Sequence, residues 1–134
     1  MEIKKEYPPN FNLIKTVFPY ENGRIYCYGE TIYNPSGKTI PEDIIFHESI
    51  HAKRQENPEE WWNRYLTDKQ FREEEELIAY ANQYLFIKSV YPAKLQKQAL
   101  DELATNLSLL YNLSITRPQA ESKIRHRATL LANS

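Results

Sequence analysis

Two histidines four residues apart, with a glutamate directly after the first, stand near the middle of this chain as His47-Glu48-Ser49-Ile50-His51. If the stretch is helical, His47 and His51 share one face a turn apart and can grip a single cation, the spacing that zinc favours. Glu48 then lies roughly a quarter-turn away, where a carboxylate can hydrogen-bond a metal-activated water and take its proton. Together these residues spell H-E-x-x-H, and the chemistry they suit is amide hydrolysis with Glu48 as general base. The competing reading is a helix with two ordinary, partly buried histidines, or a zinc site that lacks a third ligand.

A third ligand has one natural source. The run Glu73-Glu74-Glu75-Glu76 lies in the longest helix the sequence predicts, about Asp68 to Val90, with Phe71, Ile78, Ala81, Tyr84 and Leu85 as its buried stripe. Like charges at helical spacing repel and normally face water. Four in a row cannot all do so beside a broad apolar stripe, and an inward carboxylate is costly unless it is paired or binds metal. Periodicity places Glu74 and Glu75 closer to the line of Phe71, Ile78 and Leu85 than Glu76, so it leaves all three open.

The elements that must position these groups are readable in outline. Residues 1–10, charged and then broken by Pro8 and Pro9, suggest an extended lead-in. Phe11 to Phe18, Arg24 to Tyr28 and Thr31 to Tyr33 read as three short strands, with turns at Pro19 and Asn22-Gly23, at Gly29-Glu30 and at Asn34-Pro35-Ser36-Gly37. They predict a small antiparallel meander, whose edge could receive an extended peptide or which could simply cover the next helix. That helix has Thr39 as N-cap, Glu42 as its capping-box partner and Pro41 in its first turn, and it ends before Asn57-Pro58. Ile44, Ile45, Ile50 and Ala52 offer its apolar surface. Trp61, Trp62, Tyr65 and Leu66 read as core. Thr67 to Gln70 and Thr116 to Gln119 are further capping boxes, and helices are expected over about Ala93 to Thr105 and Arg117 to Leu131, the last with Leu130 and Leu131 inside. His126 reads as a surface histidine.

At 134 residues the chain is long enough for one modest core, so a single domain over 1–134 is expected. With 17 basic and 18 acidic residues, no global field draws it to nucleic acid or to an anionic membrane. One cysteine, Cys27, excludes an internal disulfide and agrees with a reducing compartment. Neither a signal-peptide pattern nor a bilayer-spanning apolar run is present. The expectation is a cytoplasmic protein acting on a peptide or protein, with neither nucleic acid nor membrane as partner.

Taken together the pattern resembles a family of small phage- and prophage-type zinc metallopeptidases of the gluzincin kind. The matching residues are Tyr33-Asn34-Pro35, the H-E-x-x-H with Gln55, then Trp62, Tyr65 and Asp68. Phe71-Arg72, Glu76, Ala79-Tyr80, Gln83, Leu107-Ser108 and Tyr111 follow. The resemblance implies an α+β, minimal zincin-like domain, mainly helical, whose small antiparallel meander packs on the H-E-x-x-H helix. It implies Zn2+ held by His47, His51 and Glu76 with Glu48 as the catalytic base, while periodicity keeps Glu74 and Glu75 as alternatives to Glu76. Ile78 and Tyr80 stand where related sequences carry further acidic residues, so no carboxylate is identified to orient a zinc histidine. Tyr65, Tyr80 and Tyr111 are candidates to steady an oxyanion or touch substrate. A non-catalytic zinc-binding or interaction module, and a regulatory protease specific for one protein partner, are the rival functions.

Overall fold

A sheet forms, but not from the strands that alternation picks out. A computed structural model describes residues 1–19 and 23–134. Strand β1, Glu2–Lys4, comes from the lead-in. Phe11–Val17 is helix α1 where a strand was expected. Strands β2, Tyr26–Tyr28, and β3, Thr31–Tyr33, form the expected hairpin. The order is β1-β3-β2, with β1 parallel to β3 and β2 antiparallel to it, so the sheet is mixed, not a meander.

The reasons for these departures are local. Ile14 in α1 and Phe18 at its C-cap sit four apart and are buried, whereas Leu13 is exposed; the burial period is that of a helix, and it overrides the β-branched composition. A three-residue strand such as β1, two of whose residues are charged, is too short to show alternation. Its register is nonetheless definite, with Ile3 opposite Ile32, while Cys27 faces Ile32 from the other side. Gly29 opens the hairpin turn with φ +62°, a conformation that side-chain-bearing residues rarely adopt. Asn22 of the expected Asn22-Gly23 turn lies outside the described residues; Gly23 itself has φ +84°.

Helix α2, Glu42–Arg54, carries H-E-x-x-H. Its N-cap is Pro41, not Thr39, with no side-chain cap bond, so the expected capping box does not form; Glu42 and Asp43 in the first turn suit the helix dipole instead. Helix α3, Pro58–Thr67, starts cleanly because the Asn57 side chain accepts from the Glu60 N–H and Pro58 fills the first position. Thr67 closes α3, its hydroxyl donating to the Asn63 carbonyl, and so is not the cap of the next helix.

The described helices continue with α4, Lys69–Val90, α5, Ala93–Leu109, and α6, Arg117–Ala132. By contact density the chain divides into two compact units, residues 1–68 and 69–134. In the second, α4, α5 and α6 pack on one another around Leu77, Leu100, Leu103, Leu107 and Ile124. Ala104, Ala120 and Ala128, all buried, let the helices approach closely. Helix α5 runs past the expected Thr105 because Leu107 continues its buried stripe. Leu130, expected inside α6, is 52% exposed; Ala128 takes that face. The Thr116–Gln119 capping box forms in full. No described helix is long and apolar enough to cross a membrane.

In the first unit, α2 packs against β2, and polar bonds fix the contact. The Gln55 amide, at the C-cap of α2, donates to the Cys27 carbonyl (2.9 Å) and accepts from the Gly29 N–H (2.8 Å). The Trp62 indole N–H donates to the same Cys27 carbonyl at 3.0 Å. Gln55→Ala strands the Gly29 N–H and leaves that carbonyl one donor. We expect it to cost about 1–3 kcal/mol, read in urea unfolding as a lower midpoint with an unchanged slope.

Candidate metal centre

The residues buried on α2 are His47, Glu48 and His51, while Ile44, Ile45 and Ile50 are only half-buried. The polar motif, not the isoleucine surface expected from the sequence, is the inward face. Helical spacing sets the two imidazoles with ring centroids 4.9 Å apart and planes at 77°. Trp61 meets His51 edge-on at 5.4 Å and stacks on Tyr65 at 4.8 Å, giving His51 an apolar wall from α3. Trp61, Trp62 and Tyr65 are buried, as the reading of that segment as core expects. The nearest Glu48 oxygen lies 3.8 Å from His47 Nε2.

On α4 the glutamate run divides in two. Glu73 bonds Lys123 at 2.6 Å, and Glu74 takes a two-pronged bond from Arg127 at 2.6 and 3.0 Å, so both serve the packing of α6 on α4. Glu75 and Glu76 are buried, each 3% exposed. The inward face of α4 also holds Arg72, Ala79, Tyr80 and Gln83, whereas Phe71, Ile78, Tyr84 and Leu85 are only half-buried. Of the expected stripe Ala81 alone is fully buried, and of the two glutamates that periodicity placed nearer the core than Glu76, Glu75 is buried like Glu76 whereas Glu74 is exposed. Arg72, Glu76 and Tyr80 repeat every four residues along the buried face. Tyr111 braces that row, its carbonyl accepting from Arg72 Nε at 2.8 Å and its hydroxyl 2.6 Å from that of Tyr80.

His47, His51 and Glu76 each offer one ligand atom, and these atoms all lie within 4.8 Å of one another, so the group could hold a metal ion. Two imidazole nitrogens and one carboxylate oxygen are the donor set of zinc sites that keep a fourth position open. The other predicted site residues are distributed differently. Tyr65 belongs to the tryptophan cluster, Tyr80 and Tyr111 to the brace on α4, and His126 is exposed on α6.

Sequence reasoning missed the bonds that set the back of the motif. Gln55 and Trp62 converging on Cys27 left no periodic trace; Gln55 entered only through the resemblance, and Trp62 through the resemblance and as packing. The row Arg72-Glu76-Tyr80 did leave a signal in its four-residue spacing, masked because polar residues are assumed to face water. No family model, no curated protein and no solved structure matches the chain.

Cys27 reports on the interior behind the motif. Its thiol is buried and donates to the Gly29 carbonyl at 3.3 Å; burial first, and the Glu48 carboxylate second, push it far above its ordinary 9.0. A neutral thiol is a poor nucleophile. At pH 8 the folded protein should resist iodoacetamide, and unfolded protein should be alkylated readily. Because the folded-state value is the raised one, the preference for the native thiol is complete below 9.0 and falls away above it. Wild type should therefore lose stability relative to Cys27→Ala as the pH climbs past 9.0, measured by urea unfolding across that range.

Proposed function

We propose that this chain is a zinc-dependent metallopeptidase, with His47, His51 and Glu76 holding Zn2+ and Glu48 acting as general base. The observation that carries the reading is that a ligand atom from each of the three lies within 4.8 Å of the others, on side chains that are all buried. Two imidazoles and a carboxylate are rarely buried without bonds or a metal to offset their desolvation. The resemblance to phage-type gluzincins agrees with it: Asn34, Gln55, Trp62, Tyr65, Arg72, Glu76, Tyr80, Gln83 and Tyr111, which carry the likeness, are buried as well.

Bound zinc would supply Lewis acidity, lowering the pKa of an attacking water and polarising the scissile carbonyl. Everything else falls to the chain. His47 and His51, fixed by the helix repeat, present imidazole nitrogens from one face of α2. Trp61 covers the His51 ring edge and helps exclude water from it. Glu48, adjacent to His47, takes the proton of the attacking water and returns it to the departing amine.

Metal content and activity test separate parts of the proposal. Purified wild type should carry about one zinc per chain by elemental analysis, and Glu76→Ala should lose it; zinc retained by that variant would remove Glu76 from the ligand set. Glu48→Gln should keep the zinc while peptide hydrolysis falls by about 10²–10⁴-fold. If wild type and Glu48→Gln cleave a panel of unfolded peptides equally in the presence of zinc, the peptidase assignment is wrong even with the metal in place.

A further inference from the structure

The sheet has two edges, and they are not equivalent. At β2 the outward carbonyl of Cys27 is already bonded by Gln55 and Trp62, so that edge is closed by side chains. At β1 the Lys4 carbonyl accepts from the Asn34 N–H at 2.7 Å and so points toward β3. Successive residues of a strand alternate, so Ile3 directs its N–H and C=O away from β3. No hydrogen bond among the described residues reaches either group. The Ile3 side chain is itself 47% exposed, unusual for a β-branched apolar residue in a strand. An edge of this kind is a template for another strand.

The residues on that edge say which strand. Read antiparallel against a second copy and centred on Ile3, Glu2-Ile3-Lys4 is complementary to itself: Ile3 meets Ile3, and Glu2 faces Lys4 twice. The hydrogen-bonding pattern agrees, because Ile3 is the residue whose backbone groups face outward, and a two-fold pair about Ile3 exchanges both bonds. Glu2 and Lys4 then fall on the non-hydrogen-bonded positions, where side chains approach most closely. Lys4 makes a 4.0 Å ion pair with Glu6, both side chains being well exposed; such a pair is worth little and yields readily to a cross-strand partner. We propose that β1 is a self-association strand, pairing antiparallel with β1 of a second copy of this chain to join two three-stranded sheets into one.

With so short a strand the dimer is weak and concentration-dependent, and sedimentation velocity over a concentration series reads it directly, with any affinity tag kept at the C-terminus. Wild type should shift from monomer toward dimer as concentration rises. Glu2→Lys and Lys4→Glu, each of which sets like charges opposite one another, should raise the dissociation constant about tenfold. The double variant carrying both changes should restore it, and an equimolar mixture of the two single variants should associate better than either alone. Ile3→Pro keeps the inward bonds of β1 but removes the outward N–H, and should abolish the dimer with an unchanged circular-dichroism spectrum. A wild-type chain that stays monomeric into the millimolar range, or a dimer indifferent to Glu2→Lys and Ile3→Pro, overturns the proposal; the first result would leave the edge to a strand from another protein.

Discussion

Polar side chains that turn inward must be satisfied, and this chain places that demand on the helix that carries H-E-x-x-H and on α4. The buried residues of α2 are two histidines and a glutamate, and the buried face of α4 includes an arginine, two glutamates, a tyrosine and a glutamine. Taking such groups out of water costs several kcal/mol each when they are left without partners. The surrounding structure is arranged to meet that cost. Trp61 and Tyr65 supply the apolar wall against His51, and Tyr111 spends both its carbonyl and its hydroxyl on the α4 row.

The same economy fixes the first unit around the Cys27 carbonyl. One oxygen on β2 accepts from the end of α2 through Gln55 and from α3 through Trp62, while the other arm of Gln55 holds the turn of the hairpin. The strand, the helix with the motif and the following helix are thereby tied at a single point, and the position of H-E-x-x-H against the sheet follows from it. It also closes one edge of the sheet, leaving β1 as the edge with outward backbone groups.

In the second unit, charge is divided by depth within one short run. Glu73 and Glu74 reach Lys123 and Arg127 on α6 and stay partly in water, whereas Glu75 and Glu76, one step further round the helix, are buried. A helix turns by about 100° per residue, so four consecutive glutamates sample every side of it, and tertiary packing selects which of them faces in.

What the sequence alone determined is set by local spacing. The H-E-x-x-H face, the helices from α2 to α6 to within a few residues, the Gly29 hairpin, the Thr116 capping box and the tryptophan core all follow from repeats or caps that span a handful of residues. Glu76 was singled out by resemblance, while the apolar periodicity of α4 argued the other way. Tertiary structure alone decided that Phe11–Val17 is helical, that β1 joins the sheet in parallel, that α2 buries its two histidines and glutamate while its isoleucines stay half-buried, and that α4 buries polar residues alongside Leu77 and Ile87. Each of those outcomes depends on partners distant in sequence, such as Ile32 for β1, Cys27 for Gln55 and Tyr111 for Arg72 and Tyr80. A polar residue reads as solvent-facing until the group that satisfies it is known, and that group is supplied by the fold.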